Sequence, residues 1–127
     1  MKFSVVLTQD PFASQSGVTA LRFCQAVLAR GHQIQRVFLF QQSVYQANQL
    51  SSVEFGECDL AMEWSQLALQ HQIDMVVCAT SALKKGIIDT QEANKRGQVA
   101  NLASGFTLGG LGQYVDSLYS SDRVVTF

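Results

Sequence analysis

The chain has 127 residues, the length of one domain; area scaling gives about 20,000 Å² unfolded against about 6,700 Å² folded, enough burial for a core without disulfides or a structural metal. Nine Lys and Arg against ten Asp and Glu leave a net charge of -1, which excludes a broad basic field for a nucleic-acid backbone. Charged residues are only 15% and apolar ones 47%, a balance that favours an oligomer in which partners cover surface that charge does not.

Residues 2–8 (KFSVVLT) form the first buried strand, rich in Val and closed by polar Thr8, Gln9 and Asp10. That run is too short for a signal-peptide core and no apolar stretch approaches 18 residues, so a soluble, cytoplasmic protein is expected. Residues 17–30 place Val18, Leu21, Cys24 and Leu28 on one helical face, with Ser16 as N-cap and Gly31 as the stop. Residues 35–40 (QRVFLF) are a second strand, and residues 59–71 a second helix with the stripe Leu60, Trp64, Leu67 and Ala68. Residues 74–79 (DMVVCA) are a third strand, followed by a short helix running to Lys85 and closed by Gly86. Asp89 and Glu92 have capping-box spacing before a stop at Gly97. Residues 106–108 read as a shorter fifth strand, Leu111, Val115 and Leu118 mark a final helix, and residues 123–127 (RVVTF) end the series. Strands alternating with helices require right-handed parallel crossovers, so residues 1–127 are expected to be a single α/β domain: doubly wound, with a mostly parallel five-stranded sheet and helices on both faces. Ligands of such sheets bind beyond the carboxyl ends of the strands, here residues 8–16, 41–48 and 78–82.

Most catalytic patterns are absent: no GxSxG, HExxH, Walker A loop or GxGxxG follows the first strand. His32 and His71 have no ligand cluster near them in sequence and read as ordinary surface histidines. The loop after the first strand carries Asp10, Ser14 and Ser16 but only one Gly and no Lys, which disfavours a nucleotide site. Cys24, Cys58 and Cys78 are odd in number and show no CxxC spacing, so reduced thiols are expected. Cys24 lies on an apolar helical stripe, where a thiol packs as a small hydrophobe. Cys58 sits between Glu57 and Asp59, whose charges disfavour a thiolate. Cys78 ends the third strand and precedes a helix N-terminus, whose free N–H groups and dipole stabilise a thiolate; the plain alternative is a buried Cys that ends a core strand. Lys84 and Lys85 steer an acidic partner or simply complement the dipole of that short helix.

Three segments, MVVCATSALKKG at residues 75–86, GFTLGGLG at 105–112 and DRVVTF at 122–127, resemble the DsrE family, and within it the TusD-like sulfurtransferase subunits. The opening KFSVVLT, the VFLF strand and the stretch VYQANQL at residues 44–50 extend the resemblance over the full chain. It implies that Cys78 carries a relayed sulfur as a persulfide, accepted from a TusA-like donor and passed to a TusE-like acceptor for 2-thiolation of tRNA wobble uridine. It also implies a heterohexamer with TusB-like and TusC-like subunits, no metal or organic cofactor, no membrane partner and no direct nucleic-acid contact. Other readings stay open: a DsrE-type subunit of a DsrEFH complex in dissimilatory sulfur oxidation, a non-catalytic interaction subunit, and a flavodoxin-like nucleotide binder. Phe12, Val44, Tyr45, Leu50 and Phe55 fall in the loops near strand ends and are expected to form an exposed apolar patch.

Overall fold

A parallel strand pair needs a crossover, and the crossover is right-handed; the alternation of apolar runs and helical stretches therefore leaves few arrangements. In the computed structural model, which describes residues 1–127, the chain order begins with β1 (Lys2–Leu7), α1 (Ser16–Ala29), β2 (Gln33–Leu39), a 3₁₀ helix (Gln41–Ala47) and α2 (Leu60–His71). It continues with β3 (Asp74–Cys78), α3 (Ala79–Lys84), α4 (Thr90–Arg96), β4 (Phe106–Gly109), α5 (Leu111–Ser120) and β5 (Arg123–Thr126). The five strands form one sheet in the order β4-β3-β2-β1-β5. Every neighbouring pair is parallel, so the single α/β domain expected from sequence has a sheet that is wholly rather than mostly parallel.

Handedness then decides which helix covers which face. The first three crossovers each step to the adjacent strand, from β1 through β2 and β3 to β4, which sets α1, α2, α3 and α4 on one face. The fourth leaves β4 at one edge and returns beyond β1 to β5 at the other, and this reversal sets α5 alone on the opposite face.

Strand side chains alternate between those faces. Val5 and Leu7 of β1, Val37 and Leu39 of β2, and Met75 and Val77 of β3 join Leu21 and Cys24 of α1 and Trp64 and Leu67 of α2 in a core of 21 buried residues. The intervening positions Phe38, Val76 and Cys78 form a separate cluster of only three, so the two faces are built very differently. Trp64 belongs to the large core because its indole N–H is satisfied there, donating to Gln46 Oε1 at 2.8 Å.

Several local expectations change. Ser16 is the first helical residue rather than the cap; its N–H donates to Ser14 Oγ at 3.1 Å, so the capping oxygen comes from two residues upstream. At the other end of α1 the Gly31 and His32 N–H groups donate to Leu28 O and Val27 O at 3.0 and 3.1 Å. This is a Schellman closure that needs the positive φ of 83° at Gly31. Asp89 caps α4 by accepting from the Glu92 N–H at 2.9 Å, but the Glu92 carboxylate turns to Arg96 at 2.9 Å instead of closing the box. The stretch after β2, read as loop from sequence, winds into the 3₁₀ helix and buries Ser43, Val44, Gln46 and Ala47. Val44 is therefore core and not part of an exposed patch, whereas Phe12, Leu50 and Phe55 are exposed. No helix is long and apolar enough to cross a membrane.

Candidate functional site

Two neighbouring strands of the sheet lead to opposite faces. The carboxyl end of β3 feeds α3 on the face of the large core, and the carboxyl end of β4 feeds α5 on the other. A crevice opens where adjacent strands diverge in this way, the topological switch point at which open α/β sheets bind ligands. Cys78 is the last residue of β3, paired in register with Gly109, the last of β4. The sequence-predicted thiol therefore stands at the switch point.

Strand alternation, not the helix behind it, aims that thiol. Cys78 occupies the N-cap position of α3, yet its side chain makes no capping hydrogen bond. Being two residues from Val76, it turns onto the α5 face, where it clusters with Val76 and Phe38 while Phe40 and Tyr114 pack against them. The Phe38 and Tyr114 ring centroids are 5.7 Å apart. Cys78 is only 5% exposed, beneath an aromatic cover rather than facing free backbone N–H groups. Phe38, Phe40 and Tyr114 of that cluster also line a cleft of about 180 Å³ on the same face, with Thr8, Leu111 and Thr126.

The strand next to Cys78 must be glycine at its end. An added Cβ on Gly109 would collide with Gln113 Oε1 and come within 2.6 Å of Val76 Cγ1. The Gln113 carboxamide thus fills the space where a Gly109 side chain would lie, with its Oε1 accepting from the Gly110 N–H at 3.1 Å. α5 is fixed from below by Arg36, whose side chain is 12% exposed and lies 2.7 Å from Asp74 and 3.1 Å from Asp116. The same guanidinium donates to Gln113 O at 2.6 Å and Ser117 Oγ at 3.2 Å. Sequence reasoning missed both Arg36 and Gln113; the one available signal was a charged residue inside the apolar run QRVFLF.

The other two thiols are placed elsewhere and held protonated. Cys24 is fully buried in the large core, and burial pushes its thiol up to about 12. Cys58 is exposed; its thiol is also raised, first by partial desolvation, then by Glu63 and Asp59, with Arg22 acting the other way. Glu63, one turn into α2, replaces Glu57 as the opposing carboxylate. His32 and His71 flank a shallow cleft with Lys2, Gly31 and Gln33, at the amino ends of the strands and away from Cys78. No group of three His, Cys, Asp or Glu side chains is arranged to hold a metal. In the loop after β1, Asp10 Oδ1 accepts from the Phe12 N–H at 2.8 Å and Ser14 takes the Ser16 N–H. The loop's own side chains consume donors that a phosphate would need. Lys84 and Lys85 form no ion pair within the chain.

Solved structures share this fold over nearly their whole length. The ychN protein from E. coli matches with a TM-score of 0.81 at 20% identity, covering 100% of this chain and 99% of its own. MTH1491 from Methanobacterium thermoautotrophicum, a protein of unknown function, matches at 0.69 and 14% identity over 98% and 97%. BT1422 from Bacteroides thetaiotaomicron, a conserved protein of unknown function, matches at 0.62 and 16% over 99% and 94%. These identities speak for the fold alone. The model of the DsrE/DsrF-like family matches residues 1–127, and with its whole length covered the chain belongs to that family.

Proposed function

We propose that the protein is a sulfurtransferase of the relay type, with Cys78 as the residue that carries the sulfur. The observation that carries this reading is the position of Cys78 at the β3/β4 switch point of a DsrE/DsrF-like chain. Cys24 and Cys58 both have raised thiols, which disfavours either of them as the carrier. On receipt, the Cys78 thiolate attacks the outer sulfur of a donor persulfide. A new S–S bond forms, the donor's S–S bond breaks, and the donor leaves as thiolate; delivery to an acceptor thiol is the same exchange in reverse. No external oxidant or reductant is consumed.

In its finer form the proposal is a TusD-like role: sulfur from a TusA-like donor, delivery to a TusE-like acceptor, and 2-thiouridine in tRNA as the downstream product. The chain then works beside TusB-like and TusC-like subunits in a heterohexamer. Exposed apolar side chains support an assembly: Leu111, Val115, Leu118 and Tyr119 on α5, with Phe12, Leu50 and Phe55 in the loops. The burial of Cys78 favours a second reading, a non-catalytic interaction subunit. Exposure of the native protein to a persulfidated donor, followed by mass mapping, decides between them. The carrier reading expects one added sulfur on Cys78; unmodified Cys78 in a protein assembled with its partners favours the interaction subunit.

A further inference from the structure

We propose that Gln113 binds the outer sulfur of the Cys78 persulfide, through its side-chain Nε2–H. This rests on Cys78 being the carrier. Three observations lead to it.

Gly109 and Cys78 are register partners in a parallel pair, so their Cβ directions share a face of the sheet. Gln113 Oε1 and Cδ occupy the position of the missing Gly109 side chain. Oε1 is thus the Gln113 atom nearest Gly109, and the end of the side chain lies across one strand spacing, roughly 4.8 Å, from the Cys78 strand. A second sulfur on Cys78 extends the side chain by about 2.05 Å, nearly half of that gap. The bare thiol makes no hydrogen bond to Gln113, and an outer sulfur turned toward α5 shortens the gap to its side chain.

Gln113 is also held at two points and free at a third. Its backbone oxygen accepts from Arg36 Nη1 at 2.6 Å, and Oε1 accepts from the Gly110 N–H at 3.1 Å. The Gly110 N–H needs an acceptor, so Oε1 rather than Nε2 must face it. Nε2 has no partner in the chain and is not sealed from solvent. Two anchors aim the side chain, and the remaining group is a donor.

The chemistry needs such a donor. The outer sulfur of a persulfide anion carries negative charge, and the cluster around Cys78 is otherwise Phe38, Val76, Phe40 and Tyr114. An N–H donor to that sulfur stabilises the loaded form.

Inorganic polysulfide loads the native full chain directly, without a protein donor. The variant Gln113→Glu keeps an acceptor for the Gly110 N–H and loses the donor; Gln113→Met loses both. The expected result is that Gln113→Glu retains the native circular dichroism spectrum but loses the Cys78 persulfide about 10-fold faster than wild type, the factor of one hydrogen bond to a charged group. The pH at which its outer sulfur is half-maximally alkylated should move up. A purely structural role for Gln113 predicts that only Gln113→Met is impaired. A Gln113→Glu persulfide with wild-type lifetime and alkylation profile overturns the assignment while Cys78 remains the carrier. A wild-type chain that takes up no sulfur on Cys78 overturns the carrier reading and this one with it.

Discussion

The two faces of the sheet use their helices in opposite ways. Under α1 and α2 the contact is apolar and closed, with 21 buried residues and Trp64 wholly enclosed. Under α5 the contact is largely polar: Ser117 is the helix's one buried residue, and Arg36, Asp74, Asp116 and the Gln113 carbonyl join it to the sheet. The Ser4 and Ser121 hydroxyls meet at 2.5 Å on the same face. Much of the apolar surface of α5 stays in solvent, with Val115 and Leu118 about half exposed and Tyr119 at 87%. Stability resides mainly on one face, and the candidate site occupies the one held by directional bonds. Hydrogen bonds in a half-exposed interface contribute about 1 kcal/mol each, against about 1.5–3 kcal/mol for a fully buried apolar side chain.

The sharpest way to break this division is to exchange function for stability on the wrong face. Cys78→Ser should abolish sulfur uptake at a cost of about 1–3 kcal/mol, from a hydroxyl buried without a partner, whereas Cys24→Ala and Cys58→Ser should leave uptake intact. Sulfur retained by the Cys78→Ser chain refutes the central assignment. The converse substitution is Trp64→Ala in the large core. It should cost about 3–5 kcal/mol in denaturant unfolding, because it opens a cavity and strands Gln46 Oε1; a loss below about 1 kcal/mol contradicts the dominance of that face.

A smaller effect is expected from Arg36→Met. Its carboxylate partners are half exposed and remain solvated when it is lost, so the cost should be about 1–2 kcal/mol. The informative readout is iodoacetamide: α5 should loosen and Cys78 should react faster than in wild type, while Cys24 stays inert. Unchanged reactivity at Cys78 means that α5 does not control access to it.

The smallest effect, counted per pH unit, lies at alkaline pH. Cys24 is raised from 9.0 to about 12 by burial. Between those values the unfolded chain gives up its thiol proton and the folded chain keeps it, so the unfolded state binds fewer protons and stability falls as pH rises. The decline attributable to Cys24 is at most about 1.4 kcal/mol per pH unit, and Cys24→Ala should flatten it. An unchanged alkaline slope in that variant assigns the loss to other groups.

What was legible in the sequence follows the same division. A buried parallel strand declares itself as a short apolar run, so all five strands were found, as were the stripe of α2 and the closing glycine at Gly31. Cys78 was placed because it ends such a run. The face to which it points depends on register, which the run VVCA does not reveal; the helix behind it therefore appeared to be its environment. The segment at Gln41–Ala47 has 3₁₀ geometry, whose spacing gives no helical period, and Val44 was accordingly misplaced. The periodicity of Leu111, Val115 and Leu118 marked α5 correctly but did not reveal that these side chains stay about half exposed. Gln113 and Arg36 meet only because the last crossover returns across the whole sheet, a juxtaposition absent from any local pattern.

That long return also bears on the order in which the molecule assembles. β5 pairs Arg123 with Phe3 and Thr126 with Val6, contacts between nearly opposite ends of the chain, whereas β1, β2 and β3 are joined by single-step crossovers. Contacts at long sequence separation carry the larger loop-closure cost and form late. The three-strand unit with α1 and α2 can close the large core before β5 docks, and α5 is the helix that must wait. During that interval Phe38, Val76 and Cys78 lie uncovered on a sheet whose other face is already sealed. An intermediate with the large core closed and α5 not yet docked thus exposes Cys78 to oxidation while Cys24 is already enclosed.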